Sequence, residues 1–563
     1  MPARDFDMNH RITRRDALGL IAAGTALGQA AVTAQPQASA PLTTVQRNDE
    51  SVATLLQSQI VDSTSRWRGS VPDLAGLHSA GSAGSVAEAM AASFVHPDSR
   101  YHHDPLLLDR IRLAAGFLER SQSPQGNVDL LTTNFNSPPD TGFVVHLAAT
   151  AANIGRRHGA PEIAQALQSF LTKAGSGLAT GGVHTPNHRW VISSALAQIN
   201  ELFPDARFVR RVDEWLAEGV DIDADGQFTE RSTLTYNVVT DRALLVMGIK
   251  LGRPALFEPV RRNLHSLAFL LHADGEVVTE ISRRQDQYTR GGVGGYWFPL
   301  TWLTIADGNR RLAAMARMAA DGARLSTLLE YPELSQPLPS TDALPDDYEH
   351  PFPELGIVRI RRGPTSATII QSGSSRVLTL RRGAAVIEGV RFASAFFGKG
   401  QFIPDSAGQR GGTYWLRQAL EAPYYQPLGR TITAQTWATT RAERRQSEVC
   451  RLAQSAEITE RSDGFQLRLR ADGTPGVPVA VEVGLRPGGE LTGCVPVAGV
   501  EDCHLLASGT ASYRQGSDVI RFGPGAAPHR YIQVRGAEPK LPGQSVYLTG
   551  YTPFDHTLRF EMG

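Results

Sequence analysis

The stretch IVRIR at residues 357–361 alternates apolar and basic side chains, which is the period of a strand with one buried face. Similar alternation returns at residues 367–370 (ATII), 377–380 (VLTL), 466–470 (QLRLR) and 479–483 (VAVEV). Gly-rich turns separate these stretches. We therefore predict an antiparallel β-sandwich over residues 351–563.

Upstream of residue 331 the pattern is helical instead. Apolar residues recur at helical spacing, and Pro, Gly or Asp-Gly turns separate the segments. Clear examples lie at residues 106–118, 143–154, 191–202 and 232–251. Such a run of helical hairpins is typical of an α/α toroid or an α-solenoid, and the lack of a fixed-length repeat disfavours the solenoid. We predict an α/α toroid catalytic domain over residues 51–330, and a linker rich in Pro, Ser and Asp over residues 331–350.

The N-terminus has the pattern of a targeting segment. Arg14 and Arg15 are adjacent, a weakly hydrophobic run follows them, and small residues precede a cleavage point near Ala34. This resembles a bacterial twin-arginine export signal, and a disordered cytosolic tail is the alternative. We expect residues 1–34 to direct the protein to the periplasm or out of the cell, and the Gln-, Ala- and Thr-rich residues 35–50 to form a disordered linker.

Composition narrows the class of protein. The chain has 563 residues, 41% of them hydrophobic, with a formal net charge of +0. It can bury a large core and should form at least two domains. Zero net charge disfavours a nucleic-acid binder, although a local Arg cluster could still bind a polyanion. No apolar run of the mature part is long and unbroken enough to span a membrane.

The cysteines do not indicate a disulfide scaffold or a metal site. Only Cys450, Cys494 and Cys503 are present, which is too few for a scaffold built on disulfides. Cys494 and Cys503 bracket a short segment and could pair. No Cys/His spacing matches a zinc site, so we expect neither a metal nor another cofactor.

Two stretches carry the candidate catalytic residues. In VHTPNHRW, at residues 183–190, Pro186 marks the start of a helix, so Asn187 and His188 fall in its first turn. Free backbone N–H groups and the positive end of the helix dipole favour a bound carboxylate there. The second stretch, DGQFTERSTLTY, ends at Tyr236, whose phenol can give or take a proton. Each residue alone could be a cap, a surface imidazole or a packed ring, but together they favour a catalytic site.

Other polar residues near these stretches are candidates for holding substrate. Glu230 and Arg231 precede Tyr236, and their alternative role is a salt-bridged pair at a helix start. The segment RRQDQYTR at residues 283–290 could face a sugar or be a solvated loop. The predicted substrate-binding residues are Asn136, Arg189, Glu230, Arg231, Tyr288 and Tyr414.

These motifs resemble the heparinase II/III and oligoalginate lyase superfamily of polysaccharide lyases. Asn187 and His188 open a helix, and Tyr236 follows about fifty residues later after a turn. The segment NFNSPPDTGF at residues 134–143 looks like the substrate-side loop of those enzymes, and FPELGIVR at residues 352–359 is similar to their sandwich entry. The resemblance implies an α/α toroid followed by a β-sandwich, with an Asn or His that binds a uronate carboxylate and a His and Tyr that exchange protons.

The sequence departs from this family early in the sandwich. Relatives usually carry a His-rich segment there, which can supply a catalytic His or a zinc ligand. Residues 371–375 (QSGSS) and 383–385 (GAA) contain no His. Tyr414 could contribute from the sandwich instead, although a packing role in a hairpin is the alternative.

Elimination chemistry explains why these residue types are needed. A lyase removes the C5 proton of a uronic acid and expels the oxygen at C4, and neutralising the carboxylate allows charge to develop on its oxygens. Asn187 can donate to that carboxylate. If base and acid lie on the same side of the ring, Tyr236 can serve as both; if they lie on opposite sides, His188 is the base.

The predicted function is therefore that of an exported polysaccharide lyase acting on a uronate-containing polysaccharide or oligosaccharide. A glycoside hydrolase on the same scaffold is one alternative, and it needs two carboxylates flanking the bond. Asp140, Asp225, Glu230 and Glu280 are available, but they form no recognisable pair. A non-catalytic glycan-binding protein is the other alternative.

Overall fold

The structure is a computed structural model that describes residues 42–563. The predicted export signal at residues 1–34 lies outside the described residues. The chain forms two compact units. The helical unit runs to Leu271 and resumes at Gly275–Leu344, and the β unit comprises His272–Asp274 and Pro345–Gly563.

The helical unit is built from α-helices joined by short turns. They are α1 (Thr44–Ser58), α2 (Ala80–Val95), α3 (Pro105–Arg120), α4 (Pro138–Arg157), α5 (Pro161–Thr180), α6 (Pro186–Leu202), α7 (Ala206–Leu216), α8 (Tyr236–Lys250), α9 (Phe257–Leu267), α10 (Trp297–Asp307), α11 (Arg310–Met318) and α12 (Leu325–Glu330). In the described part of the chain, no helix combines the length and apolar character needed to cross a bilayer.

The helices form two rows. Helix α2 packs on α4, α4 on α6 and α6 on α8, while α3, α5 and α7 form a second row against them. Helices of the first row are buried around most of their circumference, whereas α7 and α9 bury one face. Close approach needs small residues: a Cβ at Gly142 of α4 would lie 2.9 Å from the Val191 side chain of α6. This arrangement confirms the predicted α/α toroid.

Helix α1 corrects the expectation of disorder at residues 35–50. Thr43 and Gln46 form a capping box in which Gln46 N donates to Thr43 Oγ1 at 3.2 Å and Thr43 N donates to Gln46 Oε1 at 2.8 Å. The box satisfies two backbone donors that would otherwise have no partner in the first turn. The prediction is therefore wrong from Thr44 onward.

A short hairpin interrupts the helical unit. Strand β1 (Val128–Leu130) pairs with β2 (Asn134–Ser137), and Pro138 then begins α4. The segment at residues 134–143, predicted as a loop, is thus a strand followed by a first helical turn. Ser137 caps that turn, because its hydroxyl accepts from Asp140 N at 3.3 Å.

The β unit contains two sheets. Its strands are β3 (Asp347–Phe352), β4 (Ile357–Arg362), β5 (Thr365–Ile370), β6 (Leu378–Arg382), β7 (Ala385–Ser394), β8 (Ser406–Arg410), β9 (Thr413–Tyr425), β10 (Gln446–Arg461), β11 (Gly464–Gly473), β12 (Pro478–Leu485), β13 (Glu490–Thr492), β14 (Val495–Pro496), β15 (Cys503–Leu505), β16 (Ala511–Gln515), β17 (Asp518–Gly523), β18 (Gln544–Tyr551) and β19 (Phe554–Met562). One sheet has the order β13-β16-β17-β19-β11-β10-β9-β8, and the other β14-β15-β18-β12-β7-β6-β5-β4-β3. Pairing is antiparallel, except that β15 runs parallel to β18.

Apolar side chains from both sheets form one core. Ile369 and Val481 come from the nine-stranded sheet, and Leu416, Leu467 and Phe560 come from the eight-stranded sheet. Their burial in a common cluster shows that the sheets pack face to face. The fold class predicted from the sequence, helices first and an antiparallel β-sandwich second, is confirmed.

The three cysteines are free. Cys494 packs against the main sandwich core, whereas Cys503 is buried in a separate apolar cluster with Val534 and Tyr547. Burial raises the pKa of both thiols to about 11. The pairing of Cys494 with Cys503 considered from their spacing is not formed.

Candidate active site

The start of α6 is buried and lacks a side-chain cap. Thr185 is the N-cap residue, and its side chain accepts no hydrogen bond from a backbone N–H of the first turn. Asn187 and His188 follow Pro186 and are both buried. The first turn therefore places an amide and an imidazole side by side at a buried helix start.

The side-chain amide of Asn187 has hydrogen-bond partners for its nitrogen but not for its oxygen. Its Nδ2 donates to Glu230 Oε2, and also to Thr185 Oγ1 at 3.2 Å. Its Oδ1 is buried and has no hydrogen-bond partner among the described residues. An unpaired buried carbonyl oxygen is costly, so this atom is suited to a donor supplied by a ligand.

Glu230 connects Asn187 to a cation. Only 6% of Glu230 is exposed, and its Oε1 lies 3.4 Å from Arg284 Nη1. Burial raises the pKa of this carboxyl above its usual range, against the opposing effects of the Asn187 hydrogen bond and the Arg284 charge. The guanidinium carbon of Arg284 also lies 4.8 Å from the ring centroid of Tyr236. One arginine therefore touches both Glu230 and Tyr236.

Tyr236 is the first residue of α8, and its hydroxyl oxygen is an acceptor. Its backbone N donates to Ser232 Oγ at 2.9 Å, which fixes the residue at the helix start. Gln285 Nε2 donates to the hydroxyl oxygen at 2.9 Å. Because that bond uses the oxygen, the hydroxyl hydrogen remains available for transfer.

His188 is held as a neutral imidazole. Its ring lies edge-to-face with His184, at a centroid distance of 4.6 Å, and more distantly with Phe143, at 6.4 Å. Burial, followed by the charges of His184 and Arg284, lowers the pKa of His188 to about 3. Its Nδ1 is buried without a hydrogen-bond partner in the described structure. The ring can therefore exchange hydrogen bonds with a ligand without carrying charge at neutral pH.

The loop that carries Arg284 and Gln285 is fastened to the segment before Tyr236. Asp286 accepts from the Ser282 hydroxyl and, at 3.1 Å, from Leu234 N. Arg283 N donates to the Glu230 carbonyl oxygen at 3.1 Å. These bonds hold two stretches together that are about fifty residues apart.

Three of the predicted substrate-binding residues have a left-handed backbone. The φ angles are 47° at Asn136, 51° at Arg231 and 60° at Tyr288. Non-glycine residues rarely adopt such angles, which cost on the order of 1 kcal/mol each and are concentrated at functional sites. The side chain of Asn136 is engaged within its own loop, where its Oδ1 accepts from Ser123 at 2.6 Å and from Asn127 at 3.2 Å.

Arg189 has partners outside the cluster around Asn187. Its Nη1 lies 3.0 Å from Glu218 and its Nη2 lies 2.7 Å from Asp221. Residues two apart on a helix do not share a face, which explains why Arg189 and Asn187 diverge. Arg189 forms ion pairs that anchor the start of α6, and its predicted contact with substrate stays a prediction.

Tyr414 is a packed residue of the β unit. It lies in β9, belongs to the sandwich core, and its hydroxyl donates to Glu349. This agrees with the packing role that the sequence offered as the alternative.

Asp140, one of the carboxylates available for a hydrolase, has a structural role. Asp140 accepts from Ser137 Oγ and, at 2.9 Å, from Asn134 Nδ2, so it serves the start of α4. Within residues 42–563, no group of three or more His, Cys, Asp or Glu side chains is positioned to hold a metal ion.

Sequence reasoning did not find the parts played by Arg284 and Gln285. The only signal for them was the density of polar groups at residues 283–290. Their contacts with Tyr236 depend on the tertiary fold, which local patterns do not report.

Comparison with known sequences gives no match, either to a protein-family model or to a curated protein. Comparison with solved structures does. The heparan sulfate lyase HepC mutant from Pedobacter heparinus has a TM-score of 0.51 at 12% identity, covering 94% of this chain and 84% of that chain. A chondroitin AC lyase mutant from Streptomyces coelicolor A3 has a TM-score of 0.51 at 15% identity, covering 97% and 82%.

A third solved structure, the Paenibacillus xanthan lyase, has a TM-score of 0.56 at 11% identity and covers 92% of this chain and 57% of that chain. At such low identity these likenesses concern the fold. The chain has the toroid-and-sandwich fold of polysaccharide lyases, so the resemblance drawn from its motifs is confirmed at the level of the fold.

Proposed function

We propose that this protein is an exported polysaccharide lyase that cleaves a uronate-containing glycan by β-elimination. The observation that carries the proposal is a group of buried polar atoms left without partners, Asn187 Oδ1 and His188 Nδ1, in a cluster that includes Tyr236. Buried polar atoms are nearly always paired in folded proteins. The unpaired atoms would gain hydrogen-bond partners from a polar ligand, which supports a binding role for the cluster. The fold shared with three lyases supports lyase chemistry.

Arg284 is suited to neutralise the uronate carboxylate, and Asn187 joins it when its Nδ2 exchanges Glu230 for the substrate carboxylate. The amide lies in the first turn of α6, where the positive end of the helix dipole favours an anion. Arg284 supplies a full positive charge beside it. Because the carboxylate oxygens gain charge when the C5 proton leaves, these donors stabilise the transition state more than the ground state.

Tyr236 is the group best suited to carry the proton. A general base works best when its pKa lies near the operating pH, and the low pKa of His188, about 3, makes its imidazole a weak base. In this mechanism Tyr236 first loses its hydroxyl proton to solvent; the phenolate then takes the C5 proton, the C–H electrons form the C4=C5 double bond, and the C4–O bond breaks. The phenol then returns the proton to the departing oxygen. Gln285 and Arg284 stabilise the negative oxygen, and neutral His188 supplies a hydrogen bond.

The test is a screen of purified protein against uronate polysaccharides, followed by ultraviolet absorbance and by a reducing-end assay. Elimination is expected to raise both signals in proportion, because each cleavage creates one unsaturated uronate and one new reducing end. New reducing ends without ultraviolet absorbance would instead identify a hydrolase. No product from any polymer would contradict the proposal.

Export rests on the N-terminal pattern and has its own test. Replacing Arg14 and Arg15 with Lys keeps the charge but removes the arginine pair. The variant is expected to remain in the cytoplasm when fractions are immunoblotted, while the unaltered chain reaches the periplasm or medium. Equal export of both would contradict the twin-arginine proposal without affecting the lyase proposal.

A further inference from the structure

Several large aromatic rings are exposed on the β unit. Trp437 and Tyr424 are each 56% exposed and Phe397 is 51% exposed. The Phe397 and Tyr424 rings lie edge-to-face at a centroid distance of 5.7 Å. Phe397 also has a φ of 49°, an unfavourable backbone conformation for a bulky side chain. Solvent-exposed aromatic rings commonly mark a binding surface.

Two arginines stack on neighbouring rings. The guanidinium of Arg444 lies 4.5 Å from the centroid of Trp437, and that of Arg441 lies 4.6 Å from the centroid of Tyr425. Arg444 also donates to the Gln426 carbonyl oxygen at 3.1 Å, which connects Trp437 to the end of β9. The stacking fixes the planes of both guanidinium groups, so less freedom is lost when they bind an anion.

The segment that carries these arginines is locally basic in a chain with no net charge. Residues 426–445 contain four arginines and one acidic residue, Glu443, in a chain whose formal net charge is +0. Glu443 is paired with Arg430. The remaining arginines of the segment are therefore an excess of positive charge beside exposed rings.

We propose that this surface binds a strand of acidic polysaccharide. The aromatic–arginine patch comprises Tyr425, Trp437, Arg441 and Arg444. Phe397 and Tyr424 are not part of it, because Tyr424 precedes Tyr425 in β9 and consecutive strand residues point to opposite faces. Flat rings can cover the apolar C–H faces of sugar rings, and guanidinium groups donate paired hydrogen bonds to carboxylates. The choice of an acidic glycan rests on the proposed function, since the substrate proposed there is a polymer of the same chemistry.

Other occupants fit the patch less well. Single-stranded nucleic acid also uses aromatic stacking and arginine, but proteins that bind it normally show a basic footprint over a whole domain, and this chain is neutral. A second copy of the chain would present the same positive charge to itself. An acidic glycan complements both the rings and the charge.

The test uses the full chain with Tyr236→Phe, so that the polymer is not consumed. Native gels containing alginate, hyaluronan or xanthan are compared with gels containing neutral dextran. At least one acidic polymer is expected to retard the protein, and dextran is not. Trp437→Ala and Arg444→Ala are each expected to weaken the retardation about tenfold, as truncation of an aromatic or arginine anchor commonly does.

The matched control is Arg417→Ala. Arg417 stacks on Trp415 at 4.7 Å in the same unit but outside the patch, so its removal changes the charge equally. It is expected to leave the retardation as it was. An equal loss with Arg417→Ala would show that only net charge matters and would overturn the proposal, as would retardation by none of the acidic polymers.

Two further outcomes would also overturn it: single-stranded DNA retarding the protein as strongly as the best glycan, or a dimer in light scattering that Trp437→Ala dissociates. The two proposals fail separately. Ultraviolet product without patch-dependent retardation overturns the patch alone, whereas patch-dependent retardation without product overturns the lyase alone.

Discussion

Two buried glutamates of the helical unit have opposite surroundings. Glu330 is 1% exposed, and its carboxylate lies 2.9 Å from Lys250 Nζ. It also accepts hydrogen bonds from Thr150 Oγ1 at 2.6 Å and from Asn153 Nδ2 at 3.3 Å. Burial alone would raise the pKa of Glu330, but Lys250 and the hydrogen bonds outweigh it and hold the pKa below its usual range. This cluster is complete within the protein.

Glu230 lies in a cluster that is incomplete. Asn187 donates to it as Asn153 does to Glu330, but its cation, Arg284, is farther away at 3.4 Å, and burial keeps its pKa raised. Asn187 Oδ1 and His188 Nδ1 lack partners among the described residues. The difference teaches that burial of polar groups does not by itself mark a stabilising network. The Glu330 cluster should govern stability, and the Glu230 cluster should govern activity.

The largest effect is expected from Tyr236→Phe. The change removes only the proton-transfer group and keeps the ring that packs under Arg284. Turnover of a verified substrate should fall about a hundredfold or more, in line with the contribution of general acid–base groups. The melting temperature should stay close to that of the unaltered protein.

The control for this prediction is Tyr101→Phe. Tyr101 is a partly buried tyrosine of the same unit, and the guanidinium of Arg100 lies 5.0 Å from its ring. Loss of the Tyr101 hydroxyl should leave turnover unchanged. Wild-type turnover in Tyr236→Phe would contradict the assignment of the site even if the protein proves to be a lyase.

Glu330→Gln should lower stability rather than turnover. It leaves Lys250 buried with Glu201, at 2.5 Å, as its remaining acidic partner. Breaking a buried pair by removing one charge costs about 3 kcal/mol or more of the unfolding free energy. Urea titration should show this loss while turnover per folded molecule stays near normal. A variant as stable as the parent would show that the Glu330 cluster is not a stabilising network.

Paired asparagine variants sharpen the comparison further. Asn187→Ala should lower kcat about a hundredfold, because it removes the amide that exchanges Glu230 for the substrate carboxylate as charge develops. Asn153→Ala removes the equivalent donor to Glu330 and should cost about 1 kcal/mol of stability without lowering kcat. If kcat falls equally in both variants, the two clusters are not functionally distinct.

Sequence alone predicts what local signals specify. Pro186 fixes a helix start, so Asn187 and His188 could be placed in one turn, and the period change near residue 350 separates helices from strands. The capping box at Thr43 was also readable, but the polar composition around it concealed α1.

The partners of these residues are set by the tertiary fold instead. Arg284 reaches Glu230 across 54 positions of the chain, and no local pattern reports such a contact. Arg189 shows the converse: it neighbours Asn187 in sequence, yet the helix turns it toward Glu218 and Asp221. The sequence therefore predicts which types of residue form the site, but not which of these residues contact each other.

The two glutamates should also differ in how stability depends on pH. The folded pKa of Glu330 is below its unfolded value, near 4.5, so its contribution is present above that value and is lost as the pH falls through the folded pKa. The folded pKa of Glu230 is above its unfolded value, so its contribution is present at low pH and is lost as the pH rises through the folded pKa. Glu330→Gln should therefore cost most stability at neutral pH. Glu230→Gln, which removes a poorly compensated buried charge, should raise the melting temperature there.

Glu230→Gln should lower activity although it raises the melting temperature. The glutamine can still accept from Asn187, but it no longer pairs with Arg284, so kcat/KM should fall about tenfold, the typical weight of a hydrogen bond to a charged group. In the parent protein, protonation of Glu230 at acid pH removes its pairing with Arg284, so kcat/KM should fall there. Since Gln does not titrate, the variant should not show this decrease. The measurement is a set of melting curves and kcat/KM values from about pH 4 to about pH 8. A Glu230→Gln protein that is less stable at neutral pH and keeps the parental pH profile would show that Glu230 is a structural residue like Glu330.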